Sequence, residues 1–154
     1  VFSELNVKLL IASVLFFFLI PTKLGLAESS LLKVDEREIK LDKFFDRYKC
    51  PQPNYAQEYI QEADRYNIPY TLLPAISIQE STCGRHYRFD NYWGWNSART
   101  GFSTVAQGID FVSSQLALGR YYKDKTIKAK LQTYNPNPSY APKVIQLMTQ
   151  IENE

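Results

Sequence analysis

The chain is short of several residue types that announce a chemistry. It has a single histidine, His86, and two cysteines, Cys50 and Cys83, among 154 residues. A four-ligand structural zinc site would therefore have to draw on Asp or Glu, and no metal or cofactor is expected. A concentrated basic stripe is also missing: 18 Lys and Arg are interleaved with 16 Asp and Glu, for a net charge of +2. Nucleic-acid binding, which needs a continuous basic face, is not expected. Sustained alternation of apolar and polar residues is absent, which argues against a sheet-based fold, and no internal repeat is visible. Hydrophobic residues at 45% and charged residues at 22% lie near globular averages, which excludes disorder and a polytopic membrane protein. The length suits one domain with a hydrophobic core and is short for two.

What is present is unevenly distributed. All eleven Tyr and both Trp follow Arg47, whereas Phe16, Phe17 and Phe18 sit in an apolar N-terminal run. Tyr and Trp combine a flat apolar face with a polar tip, which suits a sugar-holding groove and a core equally. The run from Leu9 to Ile20 is uncharged over about 12 residues, follows Lys8 and is broken by Pro21, matching the core of a signal peptide. Gly25-Leu26-Ala27 before Glu28 offers the small residues of a cleavage site. Continued to Leu26, the segment reaches roughly 18 residues and could instead anchor the chain in a bilayer. Residues 1–27 are thus read as a signal peptide or membrane anchor, 28–34 as a linker and 35–154 as the folded domain. An exported protein is expected, secreted, periplasmic or at the wall face. Cys50 and Cys83 make one possible disulfide in such a compartment; two separate buried thiols are the other reading.

The spacing predicts a mainly α fold. Asp35 with Glu38 resembles a capping box, followed by Leu41, Phe44, Phe45 and Tyr48 at helical spacing up to Pro51 and Pro53. Asn54 with Gln57 predicts a second start, reaching about Tyr66 before the Asn67-Ile68-Pro69 turn. Tyr70 to Ser81 reads as a third helix, apolar on most sides and hence the most buried, with Pro74 tolerated in its first turn. From Cys83 to Gly101 only an irregular or short-hairpin segment rich in aromatics is expected. Thr104 with Gln107 caps a helix predicted to continue to about Tyr122. A short helix over Thr126–Tyr134, the Asn135-Pro136-Asn137-Pro138 turn, and a last helix with Val144, Leu147, Met148 and Ile151 on one stripe complete the reading.

Glu80 closes the apolar third helix. Its carboxylate lies near the negative end of the helix dipole and beside apolar packing, and both disfavour ionisation. A carboxylic acid that keeps its proton near neutral pH can protonate a departing glycosidic oxygen; a solvated Glu in a last turn is the ordinary alternative.

Residues 68–84, Ile-Pro-Tyr-Thr-Leu-Leu-Pro-Ala-Ile-Ser-Ile-Gln-Glu-Ser-Thr-Cys-Gly, resemble the active-site helix of the lysozyme-like superfamily, in particular bacterial glucosaminidases and lytic transglycosylases. Asn91-Tyr-Trp-Gly-Trp95 is similar to the Asn-x-aromatic-Gly-aromatic element that follows that helix. Gly101-Phe102, Gln107-Gly108-Ile109, Tyr121-Tyr122 and Tyr134 follow in matching order, with Gln107 in place of the usual acid, read as a change of cap. The resemblance implies a lysozyme-like domain over 35–154, with an irregular or hairpin aromatic loop after the catalytic helix. It implies cleavage of β-1,4 bonds between N-acetylated sugars of peptidoglycan, with Glu80 as general acid and then base. The 2-acetamido group of the substrate can act as internal nucleophile in related chemistry. By the same resemblance Ser81 and Tyr134 join Glu80 as catalytic candidates, and Asn91, Trp93, Trp95 and Tyr122 are substrate-binding candidates, with either Trp alternatively core. Asp90 and Asp110 are the candidates for a second carboxylate, against turn and solvated-face roles, and Arg85, His86 and Arg88 could line the cleft. The expected partners are peptidoglycan strands, and the membrane through residues 9–20 if these are not cleaved; a monomer is expected. A wall-binding domain that has kept the fold and lost the chemistry is the rival reading.

Overall fold

Side-chain caps and apolar stripes determine where the helices lie. A computed structural model describes residues 34–154, so the signal, anchor and cleavage readings lie outside the described residues. Within them the chain is helical: α1 (Glu36–Arg47), α2 (Ala56–Tyr66), α3 (Leu72–Ser81), α4 (Val105–Leu118), α5 (Ile127–Tyr134) and α6 (Tyr140–Glu152). No strand occurs among the described residues, only an isolated antiparallel pairing of Arg88 with Asn91.

Three starts are capped by side chains: Asp35 and Thr104 as expected, although Glu38 accepts from Gln57 and does not turn back to Asp35, and Thr126 where no cap is read from the sequence. Asp35 accepts the Arg37 N–H at 2.9 Å, Thr104 accepts that of Gln107 at 3.1 Å, and Thr126 that of Ala129 at 3.3 Å, each supplying an acceptor to an otherwise free first-turn amide. The Gln107 side chain accepts from the Ser103 N–H at 2.8 Å, which makes it a cap. The Asn54 and Gln57 box does not form. Asn54 accepts from Ala56 N–H, but Gln57 donates to Glu38 of α1 instead of turning back, so a contact between helices takes the group that local capping would use.

α3 is the most buried element: Leu72, Leu73, Pro74, Ala75, Ile76 and Ser77 are all inside, and the helix packs against α6 and α4. It begins at Leu72, two residues later than expected. Around it Leu41, Phe44, Phe45, Ile109, Val112, Leu116, Leu131, Val144 and Ile151 form one core, each such side chain contributing about 1.5–3 kcal/mol when fully buried. α4 ends at Leu118, short of the expected Tyr122. Gly119 there takes an extended backbone, and the Lys130 ammonium donates to the carbonyls of Leu116 at 2.6 Å and Tyr122 at 2.7 Å. A buried lysine thus satisfies the helix end that further helix would have covered. Among the described residues no helix is long and apolar enough to cross a membrane.

Candidate active site

The carboxyl of Glu80 is carried at the end of α3, where Thr82 and Cys83 turn the backbone through left-handed conformations at φ 52° and 51°. Cys83 is bonded to Cys50, 33 residues earlier, with the two Cα atoms 5.6 Å apart. Of the two cysteine readings the disulfide is the one present. Ser81 is 3% exposed, and its hydroxyl is fully engaged: it faces the carbonyls of Tyr92 at 2.7 Å and Ser77 at 3.1 Å and accepts the Gly84 N–H at 2.8 Å. These bonds fasten the helix end to the following segment, at a residue that also lines a hollow beside Glu80.

Asn91 likewise turns inward. At 2% exposure, its amide donates to the carbonyls of Trp95 and Thr100 and its oxygen accepts the Trp95 N–H at 3.0 Å. Every polar atom of this side chain braces the 91–100 turn, and the residue also lines a hollow beside Glu80. Trp93 is fully buried, edge-on to Tyr59 and Phe102, and presents no face to a ligand. Its ring lies against α4 at Gly108, where an added Cβ would come within 2.4 Å of it; only glycine admits it. Of the two tryptophans Trp93 is therefore core.

The remaining candidates converge. A cleft of about 770 Å³ is lined by Glu80, Trp95, Arg120, Tyr122, Tyr134 and their neighbours. A second hollow of about 270 Å³, lined by His86, Tyr87, Arg88 and Asn91, meets the first at Glu80, Gly94 and Ser97. Glu80 thus stands where two concavities join, and it is the sole acidic side chain lining either. Trp95 packs at ring-centroid distances of 5.7 to 5.9 Å from Phe111, Tyr122 and Tyr134, an aromatic wall beside the acid. Gly94 adopts φ 62°, and a Cβ there would lie 2.8 Å from Glu80 Oε2. Glycine meets both the left-handed turn and the close approach of the carboxylate.

Burial raises the Glu80 pKa above the usual carboxylate value, and the Tyr140 hydroxyl partly opposes this by favouring the ionised form. Tyr140 is the residue the sequence reading missed. It is 4% exposed, and its hydroxyl has no hydrogen bond of standard geometry, although it interacts with Glu80 closely enough for each to shift the other. Its own pKa is raised by burial and by the Glu80 charge. The sequence did carry a signal, since Tyr140 begins the stripe continued by Val144, Leu147 and Ile151. Tyr134, raised by burial first and then by Glu80, donates its hydroxyl hydrogen to the Trp93 carbonyl, leaving only lone pairs for a ligand.

Neither aspartate lines the site. Asp110 accepts from Tyr66 at 2.7 Å and pairs with Arg65, and Asp90 occupies a left-handed loop position at φ 54°. Arg85 donates to the carbonyls of Tyr48 and Lys49, whereas His86 and Arg88 line the smaller hollow. Among the described residues no cluster of three or more His, Cys, Asp or Glu could hold a metal. Comparison with protein-family models, curated proteins and solved structures finds no match to this chain.

Proposed function

We propose that this chain is an exported lysozyme-like enzyme that cleaves β-1,4 bonds between N-acetylated sugars of peptidoglycan, as a glucosaminidase or a lytic transglycosylase. The observation that carries the reading is Glu80: a half-buried carboxyl with a raised pKa, alone among acids at the junction of two hollows. A strand lying through both would place one bond beside it. Protonated Glu80 gives its proton to the departing glycosidic oxygen as the C1–O bond breaks. With no second carboxylate lining the hollows, the acetamido oxygen of the substrate is the nucleophile available at C1. The Glu80 carboxylate then takes a proton either from water, giving hydrolysis, or from the sugar's own C6 hydroxyl, giving a 1,6-anhydro end. Trp95, Tyr122 and Tyr134 supply the aromatic surface for sugar rings. The disulfide agrees with an oxidising compartment and so with export.

Turbidity clearing of purified cell walls tests the assignment. The parent chain is expected to clear them, and Glu80→Gln to lose at least about a hundredfold in rate, the lower range for a general acid. Equal clearing by both removes Glu80 from the mechanism. Binding to walls with no muropeptide released would make the chain a binding domain. Anhydro ends identify transglycosylation, and free reducing GlcNAc identifies a glucosaminidase.

A further inference from the structure

The arginines of the described domain divide by partner. Arg37, Arg47 and Arg65 pair with carboxylates, and Arg85 is taken up by backbone carbonyls. Arg88, Arg99 and Arg120 have no carboxylate partner among the described residues, and of these Arg88 and Arg120 each lie over the ring of the next residue in sequence: Arg88 over Phe89 at 5.3 Å, Arg120 over Tyr121 at 4.5 Å. These two line the two different hollows that meet at Glu80, Arg88 in the smaller and Arg120 in the larger. A guanidinium held over an aromatic face has already lost much of its rotamer freedom. Arg120 spends one donor on the Tyr121 hydroxyl, and the other N–H groups remain for a planar, two-point contact with a carboxylate.

Lining charge points the same way. Apart from Glu80, whose ionisation burial opposes, the fixed charges facing the hollows are cationic on both sides. An uncharged N-acetylglucosamine chain gives two unpaired arginines nothing to neutralise. We propose that Arg88 and Arg120 read carboxylates of the nearest lactyl-bearing sugars on the two sides of the bond at Glu80, one next to the bond and the other one sugar further along, so that the cleft selects an anionic strand over a neutral one. This inference rests on the glycan-cleft reading above and sharpens its substrate. The carboxylates have two sources in a wall polymer: the lactyl ethers of a peptide-free strand, or the peptide stems that amidate those ethers and bring carboxylates of their own.

Calorimetric titration of Glu80→Gln protein, which holds ligand without turnover, compares three strands of matched length: uncharged chitooligosaccharide, peptide-free peptidoglycan strands and peptide-bearing strands. One or both carboxylate-bearing strands should bind more tightly than the neutral one, by a margin that shrinks as salt is added. In that background Arg88→Gln and Arg120→Gln should each weaken carboxylate-strand binding roughly tenfold, the scale of a lost charge-assisted contact, and leave chitooligosaccharide unaffected. Arg99→Gln, at an exposed arginine that lines neither hollow, should change nothing. Preference for peptide-free strands assigns the lactyl group, and preference for peptide-bearing strands assigns the stem. Equal affinity for charged and neutral strands, or equal losses on both, overturns the proposal. Cleavage by the chain with Glu80 intact separates the two readings: preference without cleavage removes the enzyme and keeps the selectivity, and cleavage without preference does the reverse.

Discussion

At the scale of single residues, Glu80 and Tyr140 oppose one another. Burial raises the acid's pKa and the buried phenol lowers it, so under the proposed mechanism the pH range in which Glu80 can give a proton is set by the balance. Replacing Tyr140 by Phe removes the hydroxyl that favours the ionised carboxylate, and the alkaline limb of the clearing rate should move to higher pH; an unmoved limb would show that the hydroxyl does not act on the acid. The same shift has a consequence for stability. A carboxyl whose pKa is raised on folding contributes fully while protonated, below its unfolded value, and the contribution is lost as pH rises through the folded value. Glu80→Gln cannot ionise. It should therefore melt a few degrees above the parent at about pH 8 and lose that advantage at about pH 4, while clearing no walls. Differential scanning calorimetry at the two pH values checks this, and a gap that does not change with pH would mean the carboxyl is as easily ionised folded as unfolded.

At the scale of elements, the 119–125 segment brings Arg120, Tyr121 and Tyr122 to the cleft, and Lys130 of α5 ties it down. Lys130 is 7% exposed, its ammonium bridges the end of α4 to the Tyr122 carbonyl, and burial lowers its pKa. Lys130→Met leaves the Leu116 carbonyl without its ammonium donor and the Tyr122 carbonyl with only the Lys125 N–H at 3.3 Å, an expected loss of about 1–3 kcal/mol in urea unfolding. It should also raise KM more than it lowers kcat, because Tyr122 shifts without touching Glu80. Lost stability with unchanged KM would show that the segment keeps its shape unaided. This segment also marks where the sequence stopped being legible. Caps at Asp35 and Thr104 are local interactions and could be read directly, as could the all-round apolar character of α3. The end of α4 could not, because Leu118, Tyr121 and Tyr122 prolong an apolar rhythm that a distant lysine interrupts. Asn91 and Trp93 show the same limit at the site. Their types suit a sugar, but whether a side chain faces a cleft or a core depends on the packing of Gly108 and the 91–100 turn, which lie outside any local pattern.

At the scale of the whole domain, α3 carries the acid at one end and is held there from two directions. α6 packs along it and supplies Tyr140, and α6 is in turn fastened to α1 by the Arg47–Glu154 ion pair and the Tyr48–Gln150 hydrogen bond at 2.7 Å. From the other side the Cys50–Cys83 bond ties the residue third after Glu80 to the chain just beyond α1. Both restraints reach the acid through α1, so loosening that helix should disturb the site before the core fails. Closing a loop over a separation of 33 residues removes denatured-state entropy of roughly 3 to 4 kcal/mol on the chain-entropy model, a large fraction of the 5–15 kcal/mol typical of a domain. Cys50→Ser with Cys83→Ser should therefore lower the unfolding free energy obtained from urea titration by about that amount, and the parent chain treated with reductant should match it. If the bond acts only on the unfolded chain, clearing activity well below the melting range stays intact in both. If it also positions the end of α3, activity falls while far-UV helicity does not, and the arrangement of α1, the disulfide and Glu80 favours that second outcome.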